Sequence, residues 1–186
     1  QVQVPFVMEL KRPRQSRLEI QFQGETAIQV YDGVKGWKVR PFLGRREVEA
    51  YTEEELKLAG MQSELDGFLI DHAAKGYKVA VLGMEPVNGK EAYKLKVTLK
   101  GGQVRHLWID AESFLDVKID ETRRLGGKDR AVETLLRDYK TVHGLKLPHL
   151  METRVVGAKT AKSEKIYVEK IVVNPKLADN RFAKPE

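Results

Sequence analysis

The sequence contains no cysteine, which excludes disulfide bridges and thiolate chemistry while leaving the redox compartment open. No apolar run approaches the roughly 18–20 residues of a membrane-spanning helix. There is no Gly-x-Ser-x-Gly elbow, no Walker-type loop and no Rossmann fingerprint, so the common signatures of serine hydrolases and nucleotide-binding enzymes are missing. Ser16, Ser63 and Ser113 have turn or cap explanations. The four histidines, His72, His106, His143 and His149, show no HExxH or similar spacing, although a loop over 144–148 could bring His143 and His149 close. Asp110, Glu112, Asp116, Asp120 and Glu121 are expected as turn and outer-face residues rather than as a hydrolytic carboxylate pair. No catalytic set, metal site or cofactor is expected, and the chain is not expected to be an enzyme.

What is present is an ordinary globular composition in 186 residues, with 41% hydrophobic and 32% charged residues and a net charge of +6. That length suits one domain with a sizeable core. The positive charge is dispersed along strands, with short clusters at Lys11-Arg12, Arg45-Arg46 and Arg123-Arg124. No basic helix or aromatic ribonucleoprotein motif accompanies these clusters, so nucleic acid is not expected as a partner. The chain opens at Gln1, without Met and already in strand-like sequence. From this we expect a preceding segment, which could carry an export signal.

The organising stretch is 91–119. Tyr93, Leu95, Val97 and Leu99 alternate with Lys94, Lys96, Thr98 and Lys100, the period of two that gives a strand one apolar and one charged face. Gly101-Gly102 is expected to close a two-residue hairpin into a strand over 104–109. Asp110-Ala111-Glu112-Ser113 is then a turn in which Asp110 bonds its own following backbone. Leu115, Val117 and Ile119 begin a third strand.

The same alternation runs through most of the chain. Four strands are expected before residue 41, separated by turns at 11–14, at Gly24-Glu25 and at 32–36. Pro5 makes the first an edge or bulged strand. The pattern breaks at Arg45. Thr52-Glu53-Glu54-Glu55 is a capping box opening a helix, with Leu56, Ala59, Gly60 and Met61 expected on one face. Residues 52–75 form the helical insertion. Strands resume at 77 and end with one over 166–173, after which Phe182 is expected to anchor the tail. The expected fold class is mainly β (α+β): a strongly curved antiparallel sheet, or half-open barrel, of about ten or eleven strands with a helical lid, within a single domain over 1–186.

A curved sheet crossed by one helix encloses an apolar cleft. Phe6, Met8, Phe22, Trp37, Val39, Leu56, Met61, Leu65, Phe68 and Trp108 are the candidates to line it. Their alternative role is plain core. If sheet and helix close imperfectly, the cleft admits an acyl chain, and Met61 gives it an adaptable wall.

Val30-Tyr31-Asp32-Gly33 with Gly36-Trp37, then Leu107 through Leu115, then Asp138-Tyr139 through Pro148, form an order of motifs that resembles the bacterial outer-membrane lipoprotein carrier family, the LolA/LolB-like proteins. Val30-Tyr31-Asp32-Gly33 followed by Gly36-Trp37 resembles that family's Asp-Gly…Trp hairpin. Leu107-Trp108-Ile109-Asp110 through Leu115 resembles a second hairpin. Asp138-Tyr139 through Gly144, Leu147 and Pro148 resembles a strand and turn of its lipoprotein-sorting members. The resemblance implies a half-open barrel with a helical lid, a periplasmic location, and a hydrophobic cavity that carries lipoprotein acyl chains or lipid towards the outer membrane. It implies membrane-associated export or acceptor proteins as further partners. The alternative on the same fold is a lipid- or protein-sensing interaction module that does not transport. Two departures are evident: the long N-terminal helix of the family's lid is not seen, and no position matches its lid-latching arginine. Lys38, Arg40, Arg45 and Arg46 are expected near the rim, where they would meet anionic headgroups.

Overall fold

Alternation of apolar and polar residues, interrupted by turn-forming Asp, Asn and Gly, gives twelve strands and one α-helix among the described residues. The computed structural model describes residues 3–125, 127–158 and 163–186. The chain divides into two compact units, Gln1–Gly67 with Lys176–Glu186, and Phe68–Pro175. Each holds one antiparallel sheet whose strands follow sequence order.

The first unit contains β1 (Phe6–Lys11), β2 (Gln15–Phe22), β3 (Glu25–Tyr31), β4 (Gly36–Arg40) and β5 (Arg45–Ala50). β5 lies where the sequence pattern was expected to break. Its residues, Arg45-Arg46-Glu47-Val48-Glu49-Ala50, are too polar to show alternation, which suits a strand at the sheet edge. The register aligns Met8, Leu18, Gln29, Lys38 and Glu49 in one row across all five strands. The neighbouring row of Glu9, Arg17, Val30, Trp37 and Ala50 therefore faces the other way. Helix α1 (Glu53–Gln62) lies over the first of these faces. The C-terminal segment packs on the other: Arg181 bonds Glu9 and Glu19, each at 3.0 Å. Phe182, in a short 3-10 turn (Asp179–Phe182) against β2, is 1% exposed. The expected aromatic anchor of the tail is thus in place.

The second unit contains β6 (Lys78–Val87), β7 (Lys90–Thr98), β8 (Val104–Asp110), β9 (Asp116–Leu125), β10 (Lys128–Val142), β11 (Leu145–Val155) and β12 (Glu164–Tyr167). One face carries Leu95, Leu107, Ile119, Thr134 and Thr153 in a row, next to Val97, Arg105 and Val132. The opposite face carries Lys94, Trp108, Lys118, Leu135 and Glu152. The β7–β8 connection is longer than the expected two-residue link. Leu99 N–H bonds the Gln103 carbonyl at 2.8 Å, Gly102 N–H bonds the Leu99 carbonyl at 2.9 Å, and Gly102 is left-handed at φ 84°, so three residues lie between the Leu99–Gln103 closing pair within a five-residue connection. The last strand is shorter than its apolar run: the ladder ends at Tyr167, with Val168 N–H on the His149 carbonyl at 2.9 Å.

The fold class is therefore mainly antiparallel β with one helix. The strands lie in a five-stranded and a seven-stranded sheet rather than in one continuous sheet. β5 accounts for the strand not foreseen, and 64–76 form successive turns instead of more helix.

Candidate functional site

Helix α1 begins because Thr52 accepts from the Glu55 N–H at 3.3 Å while Glu55 Oε2 accepts from the Thr52 N–H at 2.8 Å, a reciprocal capping box. The other Glu55 oxygen pairs with Lys38 Nζ on β4. One carboxylate therefore both starts the helix and ties it to the sheet. At the far end, Ser63 Oγ donates to Ser16 Oγ on β2 at 2.7 Å. Arg12 and Arg14, in the β1–β2 connection, pair with Asp66 and Glu64 just beyond the helix.

Between helix and sheet lies a cavity of about 220 Å³. The sheet contributes Met8, Ser16, Leu18, Gln29, Lys38 and Arg40. The helix contributes Glu55, Leu58, Ala59 and Gln62, at the i, i+3, i+4, i+7 spacing of one face. Tyr51 forms a side wall. Its ring lies against Gly36 so closely that a Cβ there would stand 2.0 Å from a ring carbon. Its N–H bonds the Gly36 carbonyl at 2.8 Å.

The lining is amphiphilic. Met8, Leu18, Leu58 and Ala59 are apolar, whereas Lys38 and Arg40 place two cations on the sheet side. Lys38 is only 7% exposed, so it lies under the helix rather than at the rim where the sequence places it. Arg40 Nη2 donates to Glu49 at 2.6 Å, but its Nε is buried without a hydrogen-bond partner. Burial pushes the Glu55 carboxyl up, but bonds from Lys38 and the Thr52 backbone outweigh this and hold it below the usual range. Burial and the nearby Glu55 charge push the Tyr51 hydroxyl up to about 12.

The candidate lining residues disperse. Met8 lines the cavity while remaining 47% exposed, and Phe6 and Phe22 share its face by alternation. Phe22 meets Phe42 edge-on at 5.6 Å. Trp37 and Val39 stand on the opposite face, because Lys38 and Arg40, not they, share the Met8 row and its neighbours. Leu56 and Met61 are half-buried on α1 outside the cavity-facing row, and Leu65 is exposed in a turn. Phe68 and Trp108 belong to the second unit. The Phe68 ring stacks on the Arg105 guanidinium at 4.5 Å. Trp108 is 3% exposed on the charged face, flanked by Lys94 and Lys118 at 5.1 and 4.2 Å, with its Nε1–H donating to Glu85 at 3.1 Å.

The sequence analysis passed over Leu18, Gln29, Tyr51, Glu55, Leu58 and Gln62 as lining residues. The available signal was the 55, 58, 59, 62 spacing, masked because two of its four members are polar. Two carboxylates expected on outer faces are also placed differently: Asp116 buries an oxygen without a hydrogen-bond partner, and Asp120 buries one that faces Lys118 Nζ at 3.4 Å. Burial pushes both carboxyls up. The Asp110 turn forms as expected, with Oδ1 accepting from Glu112 N–H, Ser113 N–H and Ser113 Oγ at 3.2, 2.7 and 2.7 Å.

No family model matches the sequence, and no curated protein matches it. Solved structures do. A "putative outer membrane lipoprotein-sorting protein domain" from Vibrio parahaemolyticus superposes with a TM-score of 0.65 at 16% identity, covering 97% of this chain and 81% of that one. A LolA superfamily protein from Nitrosomonas europaea gives 0.64 at 14% identity over 97% and 81%. A DUF1329 family protein from Desulfovibrio piger gives 0.56 at 14% identity over 96% and 80%. The chain therefore shares the fold of LolA-superfamily and lipoprotein-sorting-domain structures.

Proposed function

We propose that the chain binds the acyl chain of a lipid or lipoprotein between α1 and the five-stranded sheet, and carries it through the periplasm towards the outer membrane. The observation that carries this proposal is the amphiphilic cavity. Its apolar residues suit methylenes, each worth about 0.8 kcal/mol when hidden from water, and Arg40 Nε, buried without a partner, suits a carboxylate or phosphate head. Similarity of fold to lipoprotein-sorting domains supports the same assignment. The cavity, at about 220 Å³, is smaller than the roughly 300–1,000 Å³ of pockets for drug-sized ligands. We therefore assign the structure to the closed form, with loading requiring α1 to lift. The polar ties at Lys38–Glu55 and Ser16–Ser63 are suited to that movement, since no residue of α1 is fully buried.

The test is organic extraction of the purified protein followed by lipid mass spectrometry. Co-purified lipid or acylated peptide is the expected result. Its absence, together with failure to take up added lipid, would overturn the proposal. A transfer assay between donor and acceptor vesicles separates a carrier from a module that binds lipid without handing it on.

A further inference from the structure

The β9–β10 hairpin concentrates positive charge that no feature described so far uses. Its register pairs Arg123 with Arg130 and Lys128 with Leu125. Alternation then places Arg123, Lys128 and Arg130 on the same face as Glu121, and Arg105 on β8 joins them through its ion pair with Glu121. Of these four cations, only Arg105 and Arg123 pair with that carboxylate. One Glu121 oxygen pairs with Arg105 at 2.8 Å and the other with Arg123. Among the described residues, Lys128 and Arg130 form no ion pair, whereas Arg124 stands on the other face, directly opposite Asp129.

Like charges directly opposite on paired strands are destabilising, and their Cβ atoms stand about 4.5–5.5 Å apart. Arg123 facing Arg130 is such a pair, and a shared anion relieves the repulsion. Two guanidiniums at that spacing reach one phosphate, each with several donors. Arg123, Lys128 and Arg130 are all exposed. They sit at the end of a hairpin rather than in an enclosed pocket or a groove lined with stacking aromatics. That geometry suits several headgroups of a planar anionic surface better than one soluble anion or a nucleic acid strand.

We infer that the β9–β10 hairpin end, through Arg123, Lys128 and Arg130, is a docking surface for an anionic phospholipid bilayer. The inference does not rest on the acyl-binding cleft, which lies in the other unit.

The test is co-sedimentation of the full chain with vesicles of phosphatidylglycerol mixed into phosphatidylcholine, and with phosphatidylcholine alone. The wild type should pellet with the anionic vesicles only, and release as salt is raised from about 0.1 M to 1 M shortens the screening length from about 10 to 3 Å. The double variant K128E/R130E should bind at least about tenfold more weakly, given the contribution of each basic residue near an anionic surface. The control K35E/K90E makes the same change in net charge at exposed positions elsewhere and should bind like the wild type. Equal loss in the control, unchanged binding by K128E/R130E, or equal pelleting with neutral vesicles would each overturn the inference. So would perturbation of these arginines by inorganic phosphate without vesicle binding, or tighter retention on a nucleic acid duplex than on vesicles. Fatty-acid uptake by K128E/R130E should match the wild type, so this inference and the cleft assignment fail separately.

Discussion

Lys38 on β4 and Glu55 on α1 form an ion pair beneath the helix, and the same carboxylate closes the helix's capping box. Lys38 is nearly buried and Glu55 partly exposed, so the pair lies between two energetic regimes. Exposed pairs contribute about 0–1 kcal/mol, whereas breaking a buried pair costs about 3–5 kcal/mol. Lys38→Met should therefore lower stability by roughly 1–3 kcal/mol and increase hydrogen exchange first in α1. A double-mutant cycle with Glu55→Gln should show coupling, because the two residues share one contact. Additivity would mean that helix and sheet are held together by other contacts.

Gly36 offers a sharper packing test. Its Cα hydrogen faces the Tyr51 ring, and a methyl there would meet ring carbons at 2.0 to 2.6 Å. Gly36→Ala should cost about 1–3 kcal/mol, the usual penalty of overpacking, and should displace Tyr51 from the cleft wall. A tolerated alanine, with Tm unchanged, would show that the ring moves freely.

The pH dependence follows from Glu55. Its folded-state carboxyl titrates below the ordinary glutamate range. The stabilisation it contributes is thus fully present above about pH 4.5 and is lost as pH falls through the lower folded value. Thermal melts across the acid range should show this loss in the wild type and a flatter profile in Lys38→Met.

Asp116 runs the other way. Burial raises its carboxyl, and one oxygen has no partner. A raised carboxyl means the folded state binds more protons, so this residue's penalty is fully present at neutral pH and is relieved on acidification. Asp116→Asn should raise Tm at pH 7, by about 2–4 °C for each kcal/mol recovered, with the gain shrinking towards acidic pH. A lower Tm at neutral pH would show that the ionised carboxylate is needed.

The strands and their turns are legible in the sequence because each is a local matter. The alternation through Tyr93, Leu95 and Val97 fixes which side chains share a face. The Thr52–Glu55 capping box fixes where the helix starts, and Asp110 fixes its turn. The face of the first sheet that the helix covers is not local. On β4, Trp37 and Val39 are the apolar pair and invite assignment to the cleft. The register instead turns Lys38 and Arg40 towards α1, where Glu55 meets Lys38 and Glu49 meets Arg40. A buried cation paired across elements is invisible to a pattern built on hydrophobicity. The division into two sheets is likewise set by which edges pair, and β5, with four charged residues in six and only Val48 and Ala50 apolar, gives too weak a periodic signal.

The central claim is that an acyl chain enters between α1 and the sheet, and fluorescence of a dansylated fatty acid tests it most directly. Wild-type protein should enhance and blue-shift the dansyl emission saturably. Leu58→Asp places a charge on the cavity-facing row of α1 at a site exposed enough to keep the fold, and it should weaken binding at least about tenfold, as burying a charge against methylenes requires. Val34→Asp, at an exposed loop position outside the cavity, should bind like the wild type. Absence of saturable binding by the wild type, or equal affinity in Leu58→Asp, would contradict the account.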